Sequence, residues 1–496
     1  MAEAKLETTF RQDISDVGLE KVFERHGRID LVPFPSDLPQ DPLNWSSWRK
    51  NTLLGLVAFH GCLGPFSAAC LIPSFEDFVV DFGVSITEAS YLASVPILFL
   101  GSFPLLWAPI SERVGRRPIY LLSMLISAAV QLASGFCTTY GSLMACRILV
   151  AIFICPPLSI GASTVSEVFF EHQKGQKFGI WTLLTSVGST LAPILVGPLV
   201  FHTGRWQWTF YFLAITNLAH FILYLFFCPE TLFDRPERSQ KPGSRTTYSD
   251  SVANEKWYTP YITLRIHSRV PWIQLPLDIL SPFYYILRPT VLLPSLAYAI
   301  TFTYTNVLLT VEIPALLGAK YQLNTQQVGL QFVAPFLGSL LGEPIAGYGS
   351  DKWMQYRVGK AKGEREPEWR LPFAIPGFLI AILGLMIFGE QLQRTRAGVW
   401  NVTPDIGSAI ALFGVQLVTS EPLSASRVQR QFTLASAAVC TTYAIESQPN
   451  HTSQAAILVA FIRQLYAFTA PFYFNAQFES MGDLNGKFLW LNLWHG

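Results

Sequence analysis

The chain has 496 residues, half of them hydrophobic, with 14% charged and 14% aromatic residues, a formal net charge of +1 and a mean hydropathy of +0.33. That leaves too little polar surface to cover a soluble globule, so lipid is the expected solvent, and the balanced charge points to no nucleic-acid partner. The 34 Gly and 33 Pro lie largely within or beside apolar runs, and the seven Cys show no metal-ligand pairs or disulfide framework, so no metal or other cofactor is expected.

Residues 1 to about 50 are polar and Pro-punctuated, without a signal-peptide pattern, and read as an amino-terminal tail. A bilayer core of about 30 Å needs roughly 20 apolar residues per helix. Candidate spans lie near 52–74, 91–110, 118–137, 142–168, 178–201 and 208–228, then 290–313, 326–348, 372–390, 405–420 and 454–474. Between the two groups, 229–287 carries Arg235, Arg238, Lys241, Arg245, Arg265 and Arg269 and is too polar to span. The expected fold is an all-α polytopic membrane protein: a first bundle over 51–228, a connector over 229–287 and a second bundle over 288–486. Arg113, Arg116 and Arg117 follow the second span, Lys174 and Lys177 the fourth, and Lys352, Arg357, Lys360, Lys362 and Arg365 the eighth. The positive-inside rule puts these loops and the amino terminus in the cytosol.

The second span ends in Ala108-Pro109-Ile110-Ser111-Glu112-Arg113-Val114-Gly115-Arg116-Arg117, and the eighth ends in a related Gly347-Tyr348-Gly349-Ser350-Asp351-Lys352. One device at the equivalent place in each half argues duplication, although an ordinary basic loop would also satisfy the charge rule. These stretches resemble the signature between helices 2 and 3 of the major facilitator superfamily, with Ala108 where many members have Gly. The resemblance implies two six-helix bundles that alternate access to a central site. It also implies a charge latch of Glu112, Arg113, Arg116, Arg117 and Asp351 with Glu167 and Glu230.

Arg147, inside an apolar stretch, resembles the family's helix-4 arginine near the coupling or substrate cavity, although Ala151 replaces the usual Gly; snorkelling to the interface is the plainer reading. Gly188, Pro193 and Gly197 match the helix-5 pattern associated with proton-coupled antiporters, with Ala192 for one Gly, or else simply pack tightly. Asp41-Pro42-Leu43-Asn44-Trp45, Gly204-Arg205-Trp206-Gln207-Trp208 and Glu366-Pro367-Glu368-Trp369-Arg370 are similar to the fungal drug and polyamine proton antiporter branch. Further cavity candidates are His60, Trp181, Asn217, Tyr304, Asn306, Gln331, Glu343, Glu446 and Arg463, each of which could equally serve a helix–helix hydrogen bond. Glu343 or Glu446 is expected to carry the coupling proton, and Glu343 could instead bind a cation, because an acid in a span is costly to bury.

The polar stretch 420–439 splits the tenth span, and removing it joins Ile406–Thr419 to Cys440–Ser447 in one run of spanning length. We therefore expect 420–439 and the atypical tail 487–496 to be non-native coding sequence, the alternative being a divergent loop and a short carboxyl end. The expected function is proton-coupled export of a drug, polyamine or similar molecule by a monomeric plasma-membrane transporter. The alternatives are a nutrient symporter and an inactive membrane protein; no catalytic constellation points to an enzyme.

Overall fold

A computed structural model describes residues 31–33, 35–36, 40–233, 271–360, 371–419 and 452–480. Segments 420–439 and 487–496, and with them Glu446, lie outside the described residues. The first half runs α1 (Ser47–Ala69), α2 (Phe75–Phe82), α3 (Ile86–Ser102), α4 (Pro104–Val114), α5 (Arg116–Ser134), α6 (Tyr140–Ile154), α7 (Pro157–Val168), α8 (Glu171–Thr203) and α9 (Gln207–Phe227). The second runs α10 (Leu275–Leu280), α11 (Pro289–Phe302), α12 (Leu308–Ile313), α13 (Thr325–Gln331), α14 (Val333–Lys360), α15 (Leu371–Arg394), α16 (Thr403–Thr419) and α17 (Thr452–Ser480). Among the described residues nine helical segments are long and apolar enough to cross a bilayer, the pair α3–α4 makes a tenth, and Thr403–Val418 is a shorter apolar helix. The pair bends by 43° where Pro104 follows Phe103.

Prolines break several spans, and side chains of neighbouring helices take up the carbonyls that each ring leaves without an N–H. Pro156 and Pro157 separate α6 from α7 and free the carbonyls of Ile152 and Phe153. Trp107 Nε1 donates to the first at 2.8 Å and Ser123 Oγ to the second at 2.5 Å. Pro96 likewise frees the Leu92 carbonyl, which accepts from Arg147 Nε at 3.0 Å.

The membrane offers little hydrophobic drive between helices, so close backbone approach does much of the packing. In the second half Gly377, Ala381 and Gly384 of α15 face Gly407, Ala411 and Gly414 of α16 so closely that a Cβ on Gly384, Gly407 or Gly414 would overlap the partner backbone. The ends of α1, α4, α5, α7, α8 and α9 meet on one face, tied by Lys177 Nζ to Asn51 Oδ1 at 2.9 Å and by the arginines described next; we call it the basic face. On the opposite face Trp206 Nε1 donates to Asp81 Oδ2 at 2.7 Å.

Candidate functional site

Gly115, with φ +105°, turns α4 into α5, and α5 begins with N–H groups that no helical carbonyl can reach. Glu230, just past the end of α9, supplies the missing acceptor: Oε1 takes the Arg116 N–H at 2.9 Å and Oε2 the Arg117 N–H at 3.1 Å. The same carboxylate accepts from the N–H groups of Thr231 at 3.0 Å and Leu232 at 2.9 Å. Its negative charge sits at the positive end of the α5 dipole. Arg117 answers in the other direction, donating from Nε to the Cys228 carbonyl at 2.7 Å and from Nη2 to Leu225 at 3.2 Å, which closes the last turn of α9.

Arg116 pairs with Glu167, Nη2 to Oε1 at 3.0 Å and Nε to Oε1 at 3.2 Å, and also donates to Ser111 Oγ. Thr231 Oγ1 holds the second Glu167 oxygen at 2.7 Å. Arg113 is fully buried and donates to the Pro109 carbonyl at 2.9 Å and to Asp278 Oδ2 at 2.5 Å. The family resemblance set Glu112, Arg113, Arg116 and Arg117 against Glu167 and Glu230. Instead, Glu230 is taken by backbone N–H groups, Arg113 reaches Asp278 of the connector, and Glu112 is exposed. Asp278 escaped notice because the connector read as loop, whereas α10 is helical and packs on α4; its signal was the apolar run Trp272 to Leu280 around one acid. Asp351 lies on α14.

Midway through the first half, Arg147 is 1% exposed and spends its donors on Leu92 O, on Ala68 O at 3.1 Å and on Ser67 Oγ at 3.3 Å, which also accepts from Gln131 Nε2 at 2.9 Å. It clamps the end of α1 to α3 and does not line the central cavity expected of it. His60, fully buried, bridges Tyr224 OH and Ser123 Oγ, both at 3.0 Å. Because Ser123 gives its proton to the Phe153 carbonyl, it accepts from His60 Nε2–H, while Nδ1 pairs with the Tyr224 hydroxyl. Trp181 fills space left by Gly61 and Gly161, where a Cβ would stand 3.4 and 2.5 Å from Nε1. Asn217 of α9 is fully buried, and Gln331 accepts from Trp400 Nε1 at 3.1 Å. None of these side chains lines the cavity described next.

The central cavity, about 120 Å³, lies where the halves face each other. Ser186 and Ser189 of α8 meet Asn306, Thr310 of α12, Gln416 of α16, and Arg463 and Gln464 of α17 across an otherwise apolar and aromatic wall. Asn306 stands in a π-helical turn, Thr303–Val307, between α11 and α12. Arg463 Nη1 donates to Tyr298 OH at 2.7 Å, and its guanidinium lies 4.7 Å from the centroid of the Phe302 ring. Tyr304 packs 5.4 Å from the Phe474 ring, and Glu343 is 5% exposed within α14; neither lines the cavity. Sequence reasoning passed over Glu312 and Asp405, 3% and 4% exposed, though the cost argument that singled out Glu343 applies equally to them.

On the opposite face the halves close on each other. Tyr91 stacks on Phe472 with centroids 4.8 Å apart, and Gly329 of α13 meets α8 so tightly that a Cβ would overlap the Pro193 carbonyl. A Cβ on Gly197 would stand 2.9 Å from the Thr325 carbonyl. Gly188 belongs to a different contact, against Cys62 O of α1, where a Cβ would stand at 2.5 Å.

Two helical bundles around a polar pocket inside an apolar shell, the first laced by ionic and helix-end contacts on one face and the two meeting through glycine contacts on the other, define a membrane transporter that moves its cargo between the halves. Residues 57–476 match the sequence profile of the Major Facilitator Superfamily. The chain is 29% identical over 413 residues to the MFS-type transporter penM of Penicillium rubens, covering 82% of this chain and 77% of that one. It is 25% identical over 394 residues to a cycloheximide resistance protein of Candida maltosa, covering 77% and 67%. The xylose transporter XylE of E. coli, in a partially occluded inward-open conformation, shares the fold with a TM-score of 0.58 at 15% identity, over 87% of this chain and 92% of that one. The chain belongs to the Major Facilitator Superfamily and is a secondary transporter of the fungal drug-efflux-like branch, a multi-pass protein of the membrane.

Proposed function

We propose that the transporter exports an amphipathic small organic molecule in exchange for protons, as a monomer in the plasma membrane with its amino terminus in the cytosol. What supports export is the similarity to the cycloheximide resistance protein of Candida maltosa. The positive-inside rule makes the basic face cytosolic, and the seal of Pro193 and Gly197 against α13, with Tyr91 on Phe472, closes the far face in this state. Arg116–Glu167, Glu230 on α5 and Arg113–Asp278 form the cytosolic latch, which must be remade in each cycle. Protons are carried by the buried acids of the second half, Glu343 and Glu312, since a carboxylate held away from water in a span is stable only when protonated or paired.

The test uses purified protein in liposomes with a pH-sensitive dye inside and a panel of amphipathic drugs outside. An exchanger acidifies or alkalinises the lumen in the sense opposite to drug flux, and an imposed proton gradient drives the drug uphill against proton flow. Co-directional movement of drug and proton would replace the exporter with a nutrient-type symporter.

A further inference from the structure

We infer that the cargo of the central cavity is a compact organic monoanion, such as a one-ring carboxylate, and not a polyamine or other organic cation; this rests on the reading of the chain as a transporter. Arg463 lies at the middle of the apolar segment Gln454–Phe474, at the depth where a charged side chain is most expensive to keep. Of the described residues that line the cavity it is the only charged one, and no carboxylate stands among those described. Its one hydrogen bond is to the neutral Tyr298 hydroxyl, and its buried Nε is left without a partner. Next along α17, Gln464 is 7% exposed and reaches the same cavity.

The Phe302 ring meets this cation in part, but no anion among the described residues pairs with it, and the planar carboxylate of a cargo matches the free edge of a guanidinium. The rest of the wall, Phe302, Ile97, Leu100 and Leu158, gives an apolar ring a dry seat, while Asn306 and Ser189 offer neutral hydrogen bonds. A volume of about 120 Å³ is close to that of an apolar protein cavity that admits benzene, about 150 Å³. A polyamine would meet the arginine's charge with no acid among the described wall residues to offset it.

Ligand-induced thermal stabilisation of the purified full chain is measured with benzoate, benzamide, benzylammonium, spermidine and sulfate, on wild type, Arg463→Gln and Arg463→Lys. Benzoate should stabilise wild type at least about tenfold more potently than benzamide, and the two cations should have no effect. Arg463→Gln should abolish the benzoate response while the unliganded protein melts at or above the wild-type temperature, since an uncompensated cation has been removed. Arg463→Lys, which keeps the charge but loses the fork, should retain a weakened response.

Equal benzoate responses in wild type and Arg463→Gln, a stronger response to benzylammonium or spermidine, an equal response to sulfate, or no benzoate response in wild type would each overturn the assignment. Counterflow in liposomes separates this from the transport reading. Movement of benzylammonium without benzoate binding leaves a transporter of cations, and benzoate binding without counterflow keeps the anion site and removes transport.

Discussion

Arg116 and Glu167 form an ion pair between the start of α5 and the end of α7, 3.0 Å apart, with both side chains largely buried at 5% and 17% exposure. A Glu167→Gln change keeps the shape and removes the charge. Losing a charged hydrogen bond of about 1.5–3 kcal/mol should shift the balance between the two access states roughly 10- to 100-fold. Transport should fall while the purified protein stays monodisperse, and the swapped pair Arg116→Glu with Glu167→Arg should recover part of the rate. Full activity in the single variant would remove this pair from the latch.

Gly115 is held by two constraints, a left-handed backbone and Glu230 Oε2 2.5 Å from where a Cβ would stand. Gly115→Ala should therefore cost about 1–2 kcal/mol from backbone strain alone, with more from displacing the cap. Thermal unfolding should show Gly115→Ala to be less stable than Glu230→Gln, which keeps an acceptor oxygen. The reverse order would mean that charge on the α5 terminus outweighs the turn.

The seal between α8 and α13 has no room for a side chain at Gly329. Gly329→Leu should prop the opposite face open. In a cysteine-free background carrying Ser189→Cys, a membrane-impermeant maleimide added on that face should label the cavity faster than in the parent with Gly329. Unchanged labelling would show that the seal lies elsewhere.

Trp107 satisfies the Ile152 carbonyl that Pro156 leaves without an N–H. Trp107→Phe should cost about 0.6–1.7 kcal/mol of stability, the range measured for hydrogen bonds between membrane helices. In a Pro156→Ala background, where the helix can supply its own N–H, the same change should cost less. Additive effects in this double-mutant cycle would refute the pairing of proline with partner.

Arg147 makes its contacts to Leu92, Ala68 and Ser67 and does not itself line the cavity, although Ala68 does. Arg147→Gln should lower the melting temperature and the amount of folded protein, yet leave KM within about twofold of wild type. A large rise in KM with normal stability would return the residue to the cargo site.

The helical, membrane-spanning character of the chain was legible in the sequence, because burying a backbone in lipid demands long apolar runs and charge cannot hide within them. Arg116 with Glu167 was legible through a family motif, since its residue types and spacing travel together. Asp278 was not, because its partner Arg113 lies far away in the chain and nothing local marks the pair. The cavity was half legible: Asn306 and Arg463 stood out as polar groups in apolar runs, but so did His60, Trp181 and Arg147. Only the packed helices decide which polar groups face a cavity and which face a neighbour's proline-freed carbonyl, since that depends on the rotation of each helix about its axis. The sequence by itself determined that this protein lives in a membrane. The tertiary structure alone decided that Arg147 is a clamp and Arg463 the charge of the cavity, because a buried cation takes its role from whichever acceptors the neighbouring helices bring within about 3 Å.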